Sequence, residues 1–154
     1  MDKVIVYNQE DGIMAVCIPA NNSGLSIEEI AEKDVPKGIK YKIIDRKELS
    51  HLDNSIFRDA WVLNGKMKPI VNMEKAKKIW KDIIRQARKI AFEDLDIQYM
   101  RATEAGDDTT EIVSKKQKLR DFTNNPEIES ANTIEELQII WDNDLGENKW
   151  HKQS

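Results

Sequence analysis

Two periods of hydrophobicity divide the chain. Up to residue 71 the apolar side chains come in short β-branched runs set between turn residues. Val4-Ile5-Val6-Tyr7 and residues 13–18 flank Asn8-Gln9-Glu10-Asp11-Gly12, where Asp11-Gly12 supplies turn residues that tolerate positive φ. This pattern predicts a β-hairpin. Pro19 and Asn21-Asn22-Ser23-Gly24 end its second strand. Ser26 followed by Glu29 has capping-box spacing, with Leu25 and Ile30 placed for a hydrophobic staple, so a short helix starts there and is closed by Pro36 and Gly38. Residues 41–45 read as a third strand. Ala60-Trp61-Val62-Leu63, then Asn64-Gly65, then residues 67–71 read as a second hairpin, whose Pro69 places its last strand at a sheet edge or bulge.

After Asn72, a helix cap, the period changes to about 3.6. Ala76, Trp80, Ile83, Ala87, Ile90 and Ala91 share one face, widened by Ile79, Ile84 and Leu95, and the pattern runs through Tyr99 and Met100 to a stop at Gly106. Asp108-Thr109-Thr110-Glu111 opens another helix with an acidic cap and a thin stripe of Ile112, Leu119 and Phe122. So short a connection makes the two helices antiparallel neighbours. Asn124-Asn125-Pro126 ends the second, and Thr133-Ile134-Glu135-Glu136 caps a third, short helix bearing Leu137, Ile140 and Trp141. From Asp142 the residues are polar and aperiodic, which predicts a flexible tail. The expected fold is α+β: a small antiparallel sheet domain with one short helix over residues 1–71, a long helical hairpin with a short capping helix over 72–141, and a tail over 142–154.

Composition narrows this picture. Over 154 residues, 40% are apolar and 34% charged, too apolar for disorder and rather charged for a thick core. A formal net charge of −4 gives no global field toward nucleic acid or acidic membranes. Cys17 is the sole cysteine, so no intrachain disulfide forms. The N-terminal stretch has four apolar residues before it turns polar, too few for a signal-peptide core or a membrane span, so a soluble cytoplasmic protein without membrane contact is expected.

Candidate chemistry is sparse. Cys17 and His51 could meet as nucleophile and base, but Cys17 alternates within an apolar strand and reads better as a buried thiol. His151 stands in the tail, and no zinc-ligand spacing exists. Glu93, Asp94 and Asp96 read as a solvated helix face, and Asp142-Asn143-Asp144-Leu145-Gly146-Glu147 lacks the ligand positions of a calcium loop. The six glycines stand apart and form no phosphate-cradling loop. No catalytic residue, metal site or cofactor is therefore assigned. The local anomaly is a basic stretch on the long helix, Lys77, Lys78, Lys81, Arg85, Arg88 and Lys89, which could follow a phosphate backbone or dock an acidic protein; nucleic acid is the disfavoured partner. Trp61, Trp80 and Trp141 fall on apolar faces and read as core, whereas Trp150, in the tail, is a candidate for an interface.

Several segments in order, "LSIEEIAEKDVPKGIKYKIID", "FRDAW", "LDIQYMRATEAGD", "KKQKLRD" and "TIEELQIIW", resemble a group of small bacteriophage and prophage proteins encoded near tail-fibre genes. The resemblance spans residues 4–141 and rests on structural punctuation and core positions. This chain departs from alanine-rich versions by its many Lys, Ile and Asn residues. What the resemblance implies is a non-enzymatic accessory role, binding a tail or tail-fibre protein during assembly in the cytoplasm of the bacterial host. The alternatives are a structural subunit of the virion tail and a small phage effector that binds a host defence protein. In this reading the capped hairpin is an interaction arm, one face packed on the sheet and terminal helix and the other left for a tail component. Its narrow apolar stripes also suit self-association as a homo-oligomer.

Overall fold

The computed structural model describes residues 2–52 and 55–150. The fold is α+β, and the chain divides into two compact units, Met1–Ala76 and Lys77–Ser154. In the first, β1 (Lys3–Asn8) lies between β2 (Met14–Cys17) and β3 (Tyr41–Asp45), antiparallel to both. The alternation of side chains across a strand sends Val4 and Val6 to one face and Ile5 to the other. Val4 and Val6 join Met14, Ile44, Leu52 and Leu63 in one cluster, while Ile5 packs with Ile30, Ala31 and Val35 of the helical side. Both faces of β1 are thus dry, which explains an unbroken apolar run where a half-exposed strand would alternate.

Helix α1 (Ile27–Asp34) covers the second of these faces. Ser26 accepts from Glu29 N–H and the Glu29 carboxylate accepts from Ser26 N–H, completing the capping box read from the sequence. The first face is covered by a second, two-stranded sheet of β4 (Trp61–Leu63) and β5 (Pro69–Val71), reached through 3₁₀ turns over Arg46–Leu52 and Ser55–Ala60. The Asn8 side-chain amide joins the two sheets: it donates to Leu63 O at 3.0 Å and accepts from Leu63 N–H at 2.8 Å. With only two strands present, Pro69 sits at an edge, where its missing N–H breaks no ladder.

The two hairpins share one loop design. Gln9 N–H bonds Ile13 O and Gly12 N–H bonds Gln9 O, while Asn64 N–H bonds Lys68 O and Met67 N–H bonds Asn64 O. The left-handed position is Gly12 (φ +79°) in the first and Met67 (φ +56°) in the second. Asn64-Gly65 therefore does not form a two-residue turn: the loop is one residue longer, and its left-handed residue is not the glycine.

Helix α2 (Met73–Ala105) starts where the period changes, with Asn72 Oδ1 accepting from Lys75 N–H at 3.1 Å. Its first turn belongs with the sheets, so the boundary falls a helical turn later than the change of period suggests. Asn72 N–H bonds Ala60 O, Lys75 Nζ bonds Asp11 O, and Ala76 is fully buried. At the other end Gly106 (φ +72°) closes a Schellman motif, with Asp107 N–H on Ala102 O and Gly106 N–H on Thr103 O. Helix α3 (Thr110–Asp121) runs back antiparallel: Arg88 reaches Arg120 O, Arg120 covers the Phe92 ring, and Lys116 pairs with Asp96. Asp108 Oδ1 accepts from both Thr110 N–H and its hydroxyl, which holds the Asp108 carboxyl below the usual carboxylate range.

Three expectations about the second unit are corrected. First, Asn125-Pro126 does more than end α3. After a single 3₁₀ turn it opens α4 (Pro126–Ser130), with Asn125 as N-cap and proline at the first helical position, where a missing N–H costs nothing. Second, α5 (Ile134–Gln138) stops before Trp141, and Glu136 bonds Asn132 N–H rather than the Thr133 N–H of a closed capping box. Third, residues 142–150 are not a loose tail: Asp142 and Leu145 are buried and a 3₁₀ turn spans Asn143–Leu145. His151 and the rest of the expected tail lie outside the described residues. Among the described residues no helix is long and apolar enough to cross a membrane.

Gly12→Ala forces a side chain into the left-handed region and should cost about 1 kcal/mol, whereas Gly65→Ala, at a residue without positive φ and with open space around its Cα, should gain about 0.5 kcal/mol. Urea unfolding should move the two midpoints in opposite directions.

Candidate functional site

The basic stretch is mostly engaged inside its own unit. Lys77 Nζ donates to Glu129 O at 2.6 Å, and Lys81 pairs with the Glu129 carboxylate at 2.5 Å. Arg85 pairs with Asp82 at 2.6 Å along the helix. Arg88 donates to the carbonyls of Leu119 and Arg120 at 3.4 and 2.9 Å. Those are carbonyls of the last turn of α3, which carry the negative end of its dipole, so Arg88 acts as a cap for a neighbouring helix. Lys78 and Lys89 are exposed. Four of the six candidate cations thus clamp α2 to α3 and α4 or to itself, and the stretch is not a continuous track for phosphates.

The apolar face of α2 is also turned from its expected position. Trp80, Ile84 and Leu95 are buried, but Ile90 is 70% exposed. The buried line runs through Arg88, whose aliphatic stem and guanidinium occupy a position where the hydrophobic pattern has a gap. Ile83, Ala87 and Ile90 form a parallel line beside it, and this line walls an open groove of 330 Å³.

The opposite wall is the C-terminal segment. Trp80 is fully buried and its indole N–H donates to Ile140 O at 3.1 Å, with the Trp141 ring centroid 5.8 Å from its own. Trp141 Nε1 donates to Gly146 O at 2.8 Å, which curls the chain into a short loop. Inside that loop Asp142 accepts from Asp144 N–H and pairs with Lys118 at 2.7 Å; the hydrogen bond and charge of Asp142 lift the Lys118 pKa above its ordinary value. Gln138 then fastens the end of the segment. Its side-chain amide donates to Trp150 O at 2.9 Å, and its backbone carbonyl accepts from Asn148 Nδ2 at 2.8 Å. The result brings Trp141, Leu145 and Trp150 opposite Ile83 and Ile90. Trp150, the tail residue singled out from the sequence, lines the groove and is 38% exposed.

Gln138, Asp142 and Leu145 build this wall and were missed by sequence reasoning. Asp142-Asn143-Asp144 does carry a local signal, an Asx turn, and Gly146 (φ +88°) marks the bend that follows.

The candidate nucleophile is poorly set up for attack. Burial pushes the Cys17 thiol up, with the charge of Asp34 adding to the shift, so the thiolate is disfavoured. His51 Nε2 donates to Pro69 O at 3.0 Å. Among the described residues no group of three or more His, Cys, Asp or Glu side chains could hold a metal ion. Asp96 is occupied by Lys116 and Asp94 by Gln98. Comparison of the chain with protein families, curated proteins and solved structures finds no match.

The Lys81–Glu129 clamp makes stability depend on acid. The hydrogen bond and charge of Lys81 hold the Glu129 carboxyl below its ordinary value, so the contribution is present above the unfolded-state pKa and is lost as pH falls through the folded one. Urea midpoints measured from neutral pH into the acid range should fall less steeply for Glu129→Gln than for the parent chain.

Proposed function

We propose that this chain is a non-enzymatic accessory protein of bacteriophage tail assembly that holds a tail or tail-fibre component on its helical unit. The resemblance of its ordered segments to small proteins encoded near tail-fibre genes supports the setting, which is the cytoplasm of the bacterial host. The groove between the Ile83–Ala87–Ile90 line and the Trp141–Leu145–Trp150 wall is the observation that carries the mode of action. A soluble monomer gains nothing from leaving Ile90 70% exposed beside two tryptophans, and contiguous apolar surface of this kind marks a contact site. The occupant is a protein segment that presents bulky apolar side chains at helical or extended spacing. Glu147 and Lys149 at the rim supply both signs of charge for its flanks.

A tagged pull-down from phage-producing cells, with mass spectrometry of bound proteins and of purified virions in parallel, tests this reading. A tail or fibre protein captured from the lysate, with the chain absent from virions, is the expected outcome. Presence in virions would make the chain a structural tail subunit, and capture of a host defence protein alone would make it an effector. Ile90→Glu should lower capture at least tenfold while changing stability by no more than about 0.5 kcal/mol, because the side chain is already exposed. Undiminished capture by this variant would place the contact elsewhere.

A further inference from the structure

The first unit carries a second feature, independent of the groove. Arg58, in the turn before β4, lays its guanidinium over the Trp61 ring, 4.7 Å from the centroid. Two donors of this pair, Arg58 Nη1 and Trp61 Nε1, are buried and have no hydrogen-bond acceptor among the described residues. Buried donors are nearly always paired in folded proteins, so two adjacent orphans call for an explanation. Arg58 also makes no salt bridge among the described residues. Its charge is permanent, so it cannot escape burial by losing a proton.

These side chains line a pocket of 450 Å³, within the size range of small-ligand sites. Arg46 and Ser50 stand at its polar side, and Val16, Ile18 and Leu49 form its apolar wall. Val16, Leu49 and Trp61 also pack against the core cluster of the sheet, so the apolar wall is held by the fold. A guanidinium stacked on an indole keeps its N–H groups in its own plane, so a tilt of the pair is enough to turn a covered donor toward an acceptor at the edge. The chemistry needed is therefore an acceptor with negative charge, carried on an apolar stem.

We infer that Arg58, Trp61 and Arg46 form a binding site for a carboxylate on an aliphatic stem, which Arg46 and Arg58 attract by charge, whose entry turns the covered Arg58 Nη1 and Trp61 Nε1 toward its oxygens, and whose stem lies on Val16, Ile18 and Leu49. Inorganic phosphate lacks the stem and fits the wall poorly; an alkylammonium has the stem and the wrong charge. The carboxylate can belong to a free short-chain acid or to a glutamate side chain of a peptide, and the two sources share this chemistry.

The test is a titration of the full chain followed by ¹H–¹⁵N NMR, with the Trp61 indole N–H assigned by its loss in Trp61→Phe. Hexanoate and a blocked peptide with one internal glutamate between leucines are the two carboxylate probes; phosphate and hexylammonium are the controls. At least one carboxylate should shift the Trp61 indole resonance saturably, and the tighter of the two identifies the source. Neither control should do so. Arg58→Gln should weaken that binding at least tenfold, and Arg46→Gln, at an exposed position that does not endanger folding, about threefold. An indole resonance that ignores both carboxylates, or equal binding by Arg46→Gln and Arg58→Gln, would overturn the site. So would phosphate binding alone, or an indole N–H whose only partner in water-exchange spectra is a trapped water.

Discussion

The first unit depends on one strand being dry on both sides. β1 has Val4, Ile5 and Val6 each at no more than 1% exposure, and such a strand folds only if something covers each face. The capped helix α1 answers on one side and the β4–β5 hairpin on the other. Each cover is secured by a polar device rather than by area alone. Ser26 and Glu29 settle where α1 begins, and the Asn8 amide behaves as a short length of extra backbone, satisfying both main-chain groups of Leu63. A half-buried amide with both of its functions paired fixes register as well as proximity.

The second unit meets a different difficulty. α2 has 33 residues and too few apolar ones to bury a whole face, so the line that faces inward includes Arg88. Charge performs part of what packing performs elsewhere: Arg88 caps α3, Lys77 and Lys81 hold Glu129, and Lys116 holds Asp96. Exposed ion pairs contribute little individually, so the buried indole of Trp80, bonded to Ile140 O, remains the main anchor of the C-terminal segment. The apolar residues displaced from the inward line by Arg88 are the ones that line the groove.

Much of the fold was legible because its signals are local. Both hairpins, β3 with its bounds, the Ser26 cap and the Gly106 stop depend on residues within one or two turns of each other. What was not legible depends on distant partners. Nothing near Gln138 foretells that it will grip residues 148–150, and a lone Leu145 in a polar stretch has no period to report its burial. Periodicity placed Ile83, Ala87 and Ile90 with Trp80 because it weighs hydrophobicity and ignores the stem of an arginine. Trp150 was found as a residue without a core to enter, but its opposing wall on α2 was read as interior. Arg58 and Trp61 sit close in sequence, yet only the fold around them reveals that their donors lack acceptors.

The fastening of residues 148–150 by a single glutamine sets a hierarchy of opening. Breaking two amide hydrogen bonds releases the end of the segment while Trp80, Leu137 and Ile140 keep their burial, so this segment belongs to the low end of the local-unfolding scale. Of the groove's C-terminal wall only Trp150 hangs on these two bonds, since Trp141 is tied to Gly146 O and Leu145 is buried. On the α2 side Ile83 and Ile90 stand on an unbroken helix, whereas on the other Trp150 keeps its place by one glutamine.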